Sequence, residues 1–410
     1  MDIRPLAATA LLLLSTATAW TQERETPNVA VNGFGTFGVV YSSENEADFV
    51  RDMFAAEGAG HSDRWSPKVD SIAGLQVTAS LTPRISGIVQ GVVEQSYDGA
   101  YKPALEWAYL AFEPVPDLHL RAGRILLPTF MTSEYRKVGY ATPWLRPPQE
   151  VYRLVPVTNV DGVAARYVFR INDFTNTLHA TFGLTDAKMP VIDETGSRDT
   201  MVTESRDGVT LSNTLERGAA ALFASFTSAR LTMEDFNPFF DAFRQFGPEG
   251  EAIADRYDVD GKRVDIYSIG ARYDTGDWFL MGEWARLDSE TFILNSRGWY
   301  ITGGYRYRSV TPYLTIARTR IHSSTSHPGV SQPGSEELDA ALNEILGGQP
   351  QQRSISVGLR WDFALNTALT LQYDYMDLDD ESAGVLVNPQ PGFRRGGNVS
   401  LFSAALDFVF

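Results

Sequence analysis

The sequence predicts an all-β protein: a 16-stranded antiparallel transmembrane β-barrel with short periplasmic turns and long extracellular loops. Three observations lead there. Segments of about ten residues alternate apolar and polar with period two, the side-chain period of a strand. Apart from a short N-terminal run, residues 6–14, no stretch approaches the ~20 apolar residues a spanning helix needs. The chain also finishes on an apolar, alternating edge that must close against something.

Taken in order, the N-terminus reads as an export signal. Arg4 supplies a basic start, residues 6–14 an apolar core, and Ala17-Thr18-Ala19 a small-x-small cleavage site. Residues 1–19 are therefore expected to be a signal peptide and residues 20–410 the barrel. Segment 29–41 places Val31, Phe37 and Val39 on one face, and an acidic loop, 42–68, follows. Around the turn Thr82-Pro83-Arg84, Ala73, Leu75, Val77 and Leu81 alternate with Gln76, Thr78 and Ser80. Val89 and Val93 then alternate with Gln90 and Glu94.

In segment 104–112 the pattern reads Leu105, Trp107 and Tyr109 outward and Glu106 inward. Pro114 and Pro116 make a rigid turn, because proline removes ladder donors. Leu118, Leu120 and Ala122 alternate with His119, Arg121 and Gly123 before the third long loop, 127–159. Val163, Ala165, Tyr167 and Phe169 then face out around Arg166. Past the turn Asn172-Asp173, Leu178, Ala180, Phe182 and Leu184 face out around His179 and Thr181. A polar loop to about Arg206, strands near 209–215 and 219–232, and an acidic, aromatic loop, 233–261, come next. Tyr267, Ile269 and Tyr273, then Trp278, Leu280 and Trp284, flank the turn Asp274-Thr275-Gly276-Asp277. Segments 299–307, 313–321, 355–363, 369–376 and 400–410 complete the sixteen. Aromatics beside the short turns (Phe169 and Phe174, Tyr273 and Trp278, Tyr307 and Tyr313, Trp361 and Phe363) are expected to form an interfacial girdle.

In the last segment Phe402, Ala404, Leu406, Phe408 and Phe410 share one face and Ser403, Ala405, Asp407 and Val409 the other. This terminus resembles those of Gram-negative outer-membrane proteins, which end in Phe; the resemblance makes Phe402, Leu406, Phe408 and Phe410 the membrane-insertion signal. Ala405 stands where such signals often carry Gly. The mature chain as a whole is similar to the 16-stranded general porins. That resemblance implies a water-filled channel for passive diffusion of small hydrophilic solutes and ions, located in the outer membrane. It further implies that the third long loop, 127–159, folds inward and narrows the lumen, together with a homotrimer, contact with outer-membrane lipid and lipopolysaccharide, and folding by the barrel-assembly machinery.

Size and charge narrow the function independently. Sixteen strands leave an aqueous lumen, whereas a plugged transporter needs about 22 strands and a separate plug. A formal charge of −16 argues against nucleic acid, and the absence of cysteine removes thiol-based redox and metal sites. The third loop carries five prolines that fix φ and lower the cost of holding one shape inside a channel. Its charges are Glu134, Arg136, Lys137, Arg146, Glu150 and Arg153, with Arg121 and Arg124 leading into it. Arg166, Arg272, Arg306, Arg318 and Arg360 are read as lumen-facing, against Glu94, Glu106, Glu283, Asp362 and Asp374. Together these residues form either a basic eyelet with weak anion preference or a set of ion pairs that stiffens the wall. Among the alternatives are a substrate-selective channel for phosphate or other small anions, an adhesin or phage-receptor barrel, and a barrel hydrolase. None of His61, His119, His179, His322 and His327 has metal-ligand spacing and no activated serine is marked, so no catalysis, cofactor or metal is expected.

Overall fold

Hydrogen-bonded pairing closes sixteen long strands into one antiparallel barrel in the computed structural model, which describes residues 28–192 and 198–410. The signal-peptide reading of residues 1–19 lies outside the described residues. The staves are β1 (Asn28–Ser42), β2 (Ile72–Thr82), β3 (Ile85–Gln95), β4 (Tyr101–Val115), β5 (Leu118–Leu126) and β6 (Asn159–Ile171). They continue with β7 (Phe174–Ile192), β8 (Arg198–Arg217), β9 (Ala220–Thr232), β10 (Lys262–Asp274) and β11 (Trp278–Ser289). The last five are β12 (Ser296–Tyr305), β13 (Val310–Ile321), β14 (Gln352–Ala364), β15 (Thr367–Leu378) and β16 (Gly397–Val409). Each pairs with its sequence neighbours, so connections alternate between short turns at one end and longer loops at the other. No helix among the described residues is long and apolar enough to cross a membrane.

Closure falls to β1, whose first half pairs with β2 and second half with β16. Phe402, Leu406, Phe408 and Phe410 all take the outward phase that the alternation assigns them. The Phe410 backbone exchanges hydrogen bonds with Gly33 at 2.9 and 3.0 Å. Its ring lies over Gly33, where an added Cβ would stand 2.3 Å from the ring, and Phe408 covers Gly35 in the same way. The seam therefore depends on bare backbone on one side and a flat ring on the other. Deleting Phe410, or replacing Gly33 with Val, is expected to lower the yield of folded barrel several-fold, read from heat-modifiable electrophoretic mobility. Wild-type yield from both variants would count against this role.

Three parts of the sequence reading need correction. A bulge between Gln90 and Gly91 on the β3–β4 pairing shifts the phase of β4 by one residue. Trp107 and Tyr109 therefore turn inward, and Leu110 and Phe112 face out instead. A one-residue slip of this kind moves a whole stretch to the other face. Tyr313, assigned to the girdle, is buried in the lumen, where its ring fills a notch left by Gly358 across the β13–β14 pair. The rest of the girdle pattern stands, with Tyr273, Trp278, Tyr307, Trp361 and Phe363 exposed. Finally, the polar loop expected up to Arg206 is largely an extended hairpin, with β7 and β8 pairing out to Met189↔Met201 and beyond.

At the loop end, α2 (Asn237–Arg244), α3 (Pro248–Tyr257) and α4 (Glu336–Gly347) form a packed cap; α1 is a single turn in the third loop (Gln149–Tyr152). Phe240, Phe243, Ile253, Tyr257, Leu342 and Leu346 bury one another there with Phe292. Burying side chains of this size stabilises by about 1.5–3 kcal/mol each, and Met189 of β7 joins the same cluster, so the two long loops are held to each other and to the barrel rim. The Asn237-Pro238-Phe239-Phe240 stretch thus packs within the cap.

Candidate channel constriction

Between β5 and β6 the chain turns into the barrel and crosses the lumen to the opposite wall. Pro128, Pro143, Pro147, Pro148 and Pro156 suit that path, since each presets φ and gives up a donor no ladder would satisfy. Apolar packing anchors its middle. Phe130, Trp144, Val151 and Tyr152 bury against Tyr300, Ala285 and Ala317 of β11–β13, with ring centroids of 5.0 Å for Phe130–Tyr152 and 5.7 Å for Trp144–Tyr300.

Polar latches fix the rest. Arg146 forks onto Asp70 (3.0 and 2.6 Å) and also donates to Asp374 (3.0 Å) and to Ser403 on β16 (2.7 Å). All of these groups are buried. Burial alone would lower the Arg146 pKa, but Asp70 and Asp374 carry it above the ordinary guanidinium value. Lys137 bonds Glu94 and, at 2.9 Å, Glu106; burial again opposes its charge, and the two carboxylates more than compensate, raising its pKa. Met131 N donates to Glu283 at 2.9 Å and Tyr152 OH reaches the same carboxylate at 3.1 Å. Arg360 donates to the Tyr140 and Thr142 carbonyls and stacks on the Tyr140 ring. Arg136 bonds the Val155 and Pro156 carbonyls inside the loop. Arg153 donates to Val385 O at 2.5 Å, and burial lowers its pKa to about 10.

Glu150 differs in kind, being buried against Ser354 (2.6 Å) and Gln352 (2.7 Å) with no cation. Burial raises its pKa above the ordinary 4.5, partly offset by those two donors. A carboxyl whose folded pKa is raised holds its proton better in the folded state. Its stabilisation is therefore complete below 4.5 and is lost as pH rises through the shifted value. Glu150→Gln keeps an acceptor for Ser354 and removes the buried charge. The variant should be at least as stable as wild type at neutral pH, with a flatter dependence of thermal midpoint on pH across the acidic range. A clear drop at neutral pH would show that the ionised carboxylate is needed.

Not all the expected constriction residues meet. Arg124 faces outward, paired with Asp161 at 2.7 and 2.8 Å. Arg318 also takes the outward phase of β13, opposite Trp299 and Arg353, so its reading as lumen-facing is corrected. Arginine at those positions breaks the apolar alternation, which made it look internal. Arg306 sits in the β12–β13 turn and forks onto Asp274 (2.7 and 2.9 Å), bracing the turn end. Arg121, Arg166 and Arg272 do face the lumen. Arg121 stacks on Tyr109 at 5.3 Å, and Arg272 lies 3.8 Å from Glu216. Arg166 stands between His119 and His179 across β5–β7 and has no ion-pair partner among the described residues. Glu134, exposed on the loop, shares a cleft with Trp107, Tyr109 and Arg121. Arg170, which the sequence reading passed over, extends the same basic wall; its alternation with Tyr167 and Phe169 is the signal that marks it. The interior thus divides its charges: loop charges locked in pairs against β3, β4 and β14–β16 or within loops, and a partly exposed basic strip on β5, β6 and β10.

No family model matches the sequence, and no curated protein sequence is similar to it. Solved structures share its fold at low identity. The outer-membrane channel DcaP of Acinetobacter baumannii aligns with a TM-score of 0.57 at 11% identity, over 96% of this chain and 100% of that one. OmpF of Salmonella typhi, solved in a complex with daunomycin, gives 0.54 and 11%, over 93% and 97%. OmpT, an outer-membrane protein of Vibrio cholerae, gives 0.53 and 11%, over 95% and 100%. The fold is that of the porin-type outer-membrane barrels.

Proposed function

We propose that this protein is an outer-membrane porin, a water-filled channel through which small hydrophilic solutes and ions diffuse passively, with a preference for anions. The observation that carries the reading is the uneven treatment of charge inside the barrel. Arg136, Lys137, Arg146, Arg153 and Arg360 are consumed by carboxylates or carbonyls, which supports their role as stiffeners. Arg121, Arg166 and Arg170 are left beside water with no carboxylate bonded to them among the described residues. Fixed positive charge in a narrow aqueous gap raises the local anion concentration. An outward apolar surface and a packed cap over the long loops are consistent with a barrel sitting in the outer membrane after export. Lipid, lipopolysaccharide and the assembly machinery are its expected surroundings. The outward faces of the adjacent strands β2 and β3 carry aliphatic and small residues and no aromatic, in contrast to the girdle elsewhere, which supports a homotrimer packed through that side. A substrate-selective channel is the second reading. It is favoured by the aromatic packing of Phe130, Trp144, Tyr152 and Tyr300, which fills one side of the lumen. Planar-bilayer recording in a salt gradient tests both readings. Steady conductance with an anion-side reversal potential is expected, block by one small anion would favour the selective reading, and absence of conductance or cation preference would overturn the proposal.

A further inference from the structure

The third loop meets the wall of β13–β16 across a pocket, not a closed seam. Loop residues between Trp144 and Glu150 form one side, and Ser354, Ser356, Asp374 and Met376, all on the lumen phase of their strands, form the other. About 460 Å³ of empty space lies between them. Pro147 and Pro148 fix φ where the loop passes the pocket, so the backbone cannot relax into the gap as a flexible chain would.

Several polar groups around this pocket are left unused. Gln149 donates its amide nitrogen to the Val50 carbonyl at 2.5 Å, while its Oε1 accepts no hydrogen bond. The Trp144 indole Nε1 donates none. Both residues line the pocket, and they are only 8% and 3% exposed. A buried polar atom without a bond has lost its hydration and gained nothing in exchange, so it marks a place where a partner fits. Charge is unbalanced as well. The charged residues lining the pocket are Arg146, Glu150 and Asp374, two carboxylates against one cation. Arg146 is already shared between Asp374 and Asp70. Glu150 has the Ser354 hydroxyl and the Gln352 amide as donors and no cation among the described residues. Burial raises its pKa, and a cation in contact is what would hold the charged form.

We propose that this pocket binds a small amino alcohol, its ammonium group donating to the Glu150 carboxylate and to Gln149 Oε1 and its hydroxyl accepting from Trp144 Nε1. A primary ammonium brings three donors and one positive charge, which serves both acceptors and supplies the missing cation. A hydroxyl accepts as well as donates, which suits an indole N–H that can only donate. The ligand is a free solute, because the wall side chains of the pocket lie on the lumen phase of β13–β16, where a lipid headgroup at the outer face does not reach. Once bound, it fastens residues 144–150 in place beside the wall, so it acts on the channel without passing through it. The site needs only the folded barrel and is independent of which ions the lumen prefers.

The test titrates full-length protein in detergent with ethanolamine, reading binding by calorimetry and by the rise in thermal midpoint that a native-state ligand produces. Wild type is expected to bind saturably. Choline keeps the charge and the hydroxyl but has no N–H donor, and ethylene glycol has hydroxyls but no charge; both should bind at least about tenfold more weakly. Glu150→Gln should bind ethanolamine about tenfold more weakly, the loss expected for one charge-assisted bond, with heat-modifiable mobility checking that it folds. Glu251→Gln, the same change on the exposed side of α3, should bind as wild type does. Trp144→Phe keeps a ring and removes the donor, and should bind ethanolamine no more tightly than methylammonium. Equal binding of choline by wild type, undiminished binding by Glu150→Gln, or no saturable binding at all would overturn the proposal. A Trp144→Phe variant that still prefers ethanolamine would overturn the hydroxyl contact. Bilayer recording keeps the two readings apart: wild type that binds but does not conduct refutes the channel and leaves this site, and wild type that conducts without binding refutes this site alone.

Discussion

Arg146→Ala is expected to release the third loop from the wall of the barrel. The side chain is the hub of four hydrogen bonds, two to Asp70, one to Asp374 and one to Ser403. Truncation leaves buried Asp374 with no cation and Asp70 with only Arg51, 3.9 Å away, and breaking a buried pair from one side costs about 3–5 kcal/mol, far more than the pair contributes net. That exceeds what one loop contact can absorb, so the tip from Gly139 to Arg146 should detach. Single-channel recording would show a wider, noisier conductance in place of a steady level, and limited proteolysis would cut near Arg136 and Lys137. Two companions isolate the cause. Arg146→Lys keeps the charge without the fork and should fall between, because a lysine cannot serve both Asp70 oxygens and Asp374 together. Arg146→Ala combined with Asp70→Asn and Asp374→Asn removes the uncompensated charge and should recover part of the steadiness. A quiet, wild-type trace from Arg146→Ala alone would mean that the aromatic anchor on Tyr300 holds the loop unaided.

Period-two alternation made the barrel legible because it is a property of each strand by itself. Phe402 to Phe410, Leu75 to Leu81 and Val163 to Phe169 needed no partner to be read. Errors fell where a neighbour decides the outcome. The bulge opposite Gln90 is a feature of a pair of strands, and it inverted Trp107 and Tyr109. Tyr313 points inward because Gly358 on the next strand leaves it room. Arg124 reads as leading into the third loop and Arg318 as lumen-facing, yet both stand on the outer face, where an interfacial row tolerates arginine. The third loop was placed by its prolines and its order in the chain. Its latches were not legible, since Arg146 meets Asp70 and Asp374 from 76 and 228 residues away. Lumen arginines therefore divided into pinned and free only once cross-barrel distances were known.

Neutralising the free side of that division has the largest expected effect on transport. Arg121→Gln with Arg166→Gln removes two positive charges from the β5–β6 wall while leaving every latch of the loop in place. An anion passing about 5 Å from one such charge in water-like surroundings gains about 0.8 kcal/mol and a cation loses as much, so two charges enrich the anion by roughly tenfold and deplete the cation by roughly tenfold before salt screening. The reversal potential in a salt gradient should therefore move most of the way to zero in the double variant, and the difference should shrink as bulk salt rises. Conductance noise should stay at the wild-type level, because neither arginine bonds the loop. Glu134, on the opposite side of the cleft, makes the complementary test. Glu134→Gln removes a negative charge that lines the same cleft as Arg121 and should push selectivity further toward anions. If both changes leave the reversal potential where it was, selectivity is set by the width left between Phe130 and the wall, and the basic strip is a solvated face of the barrel.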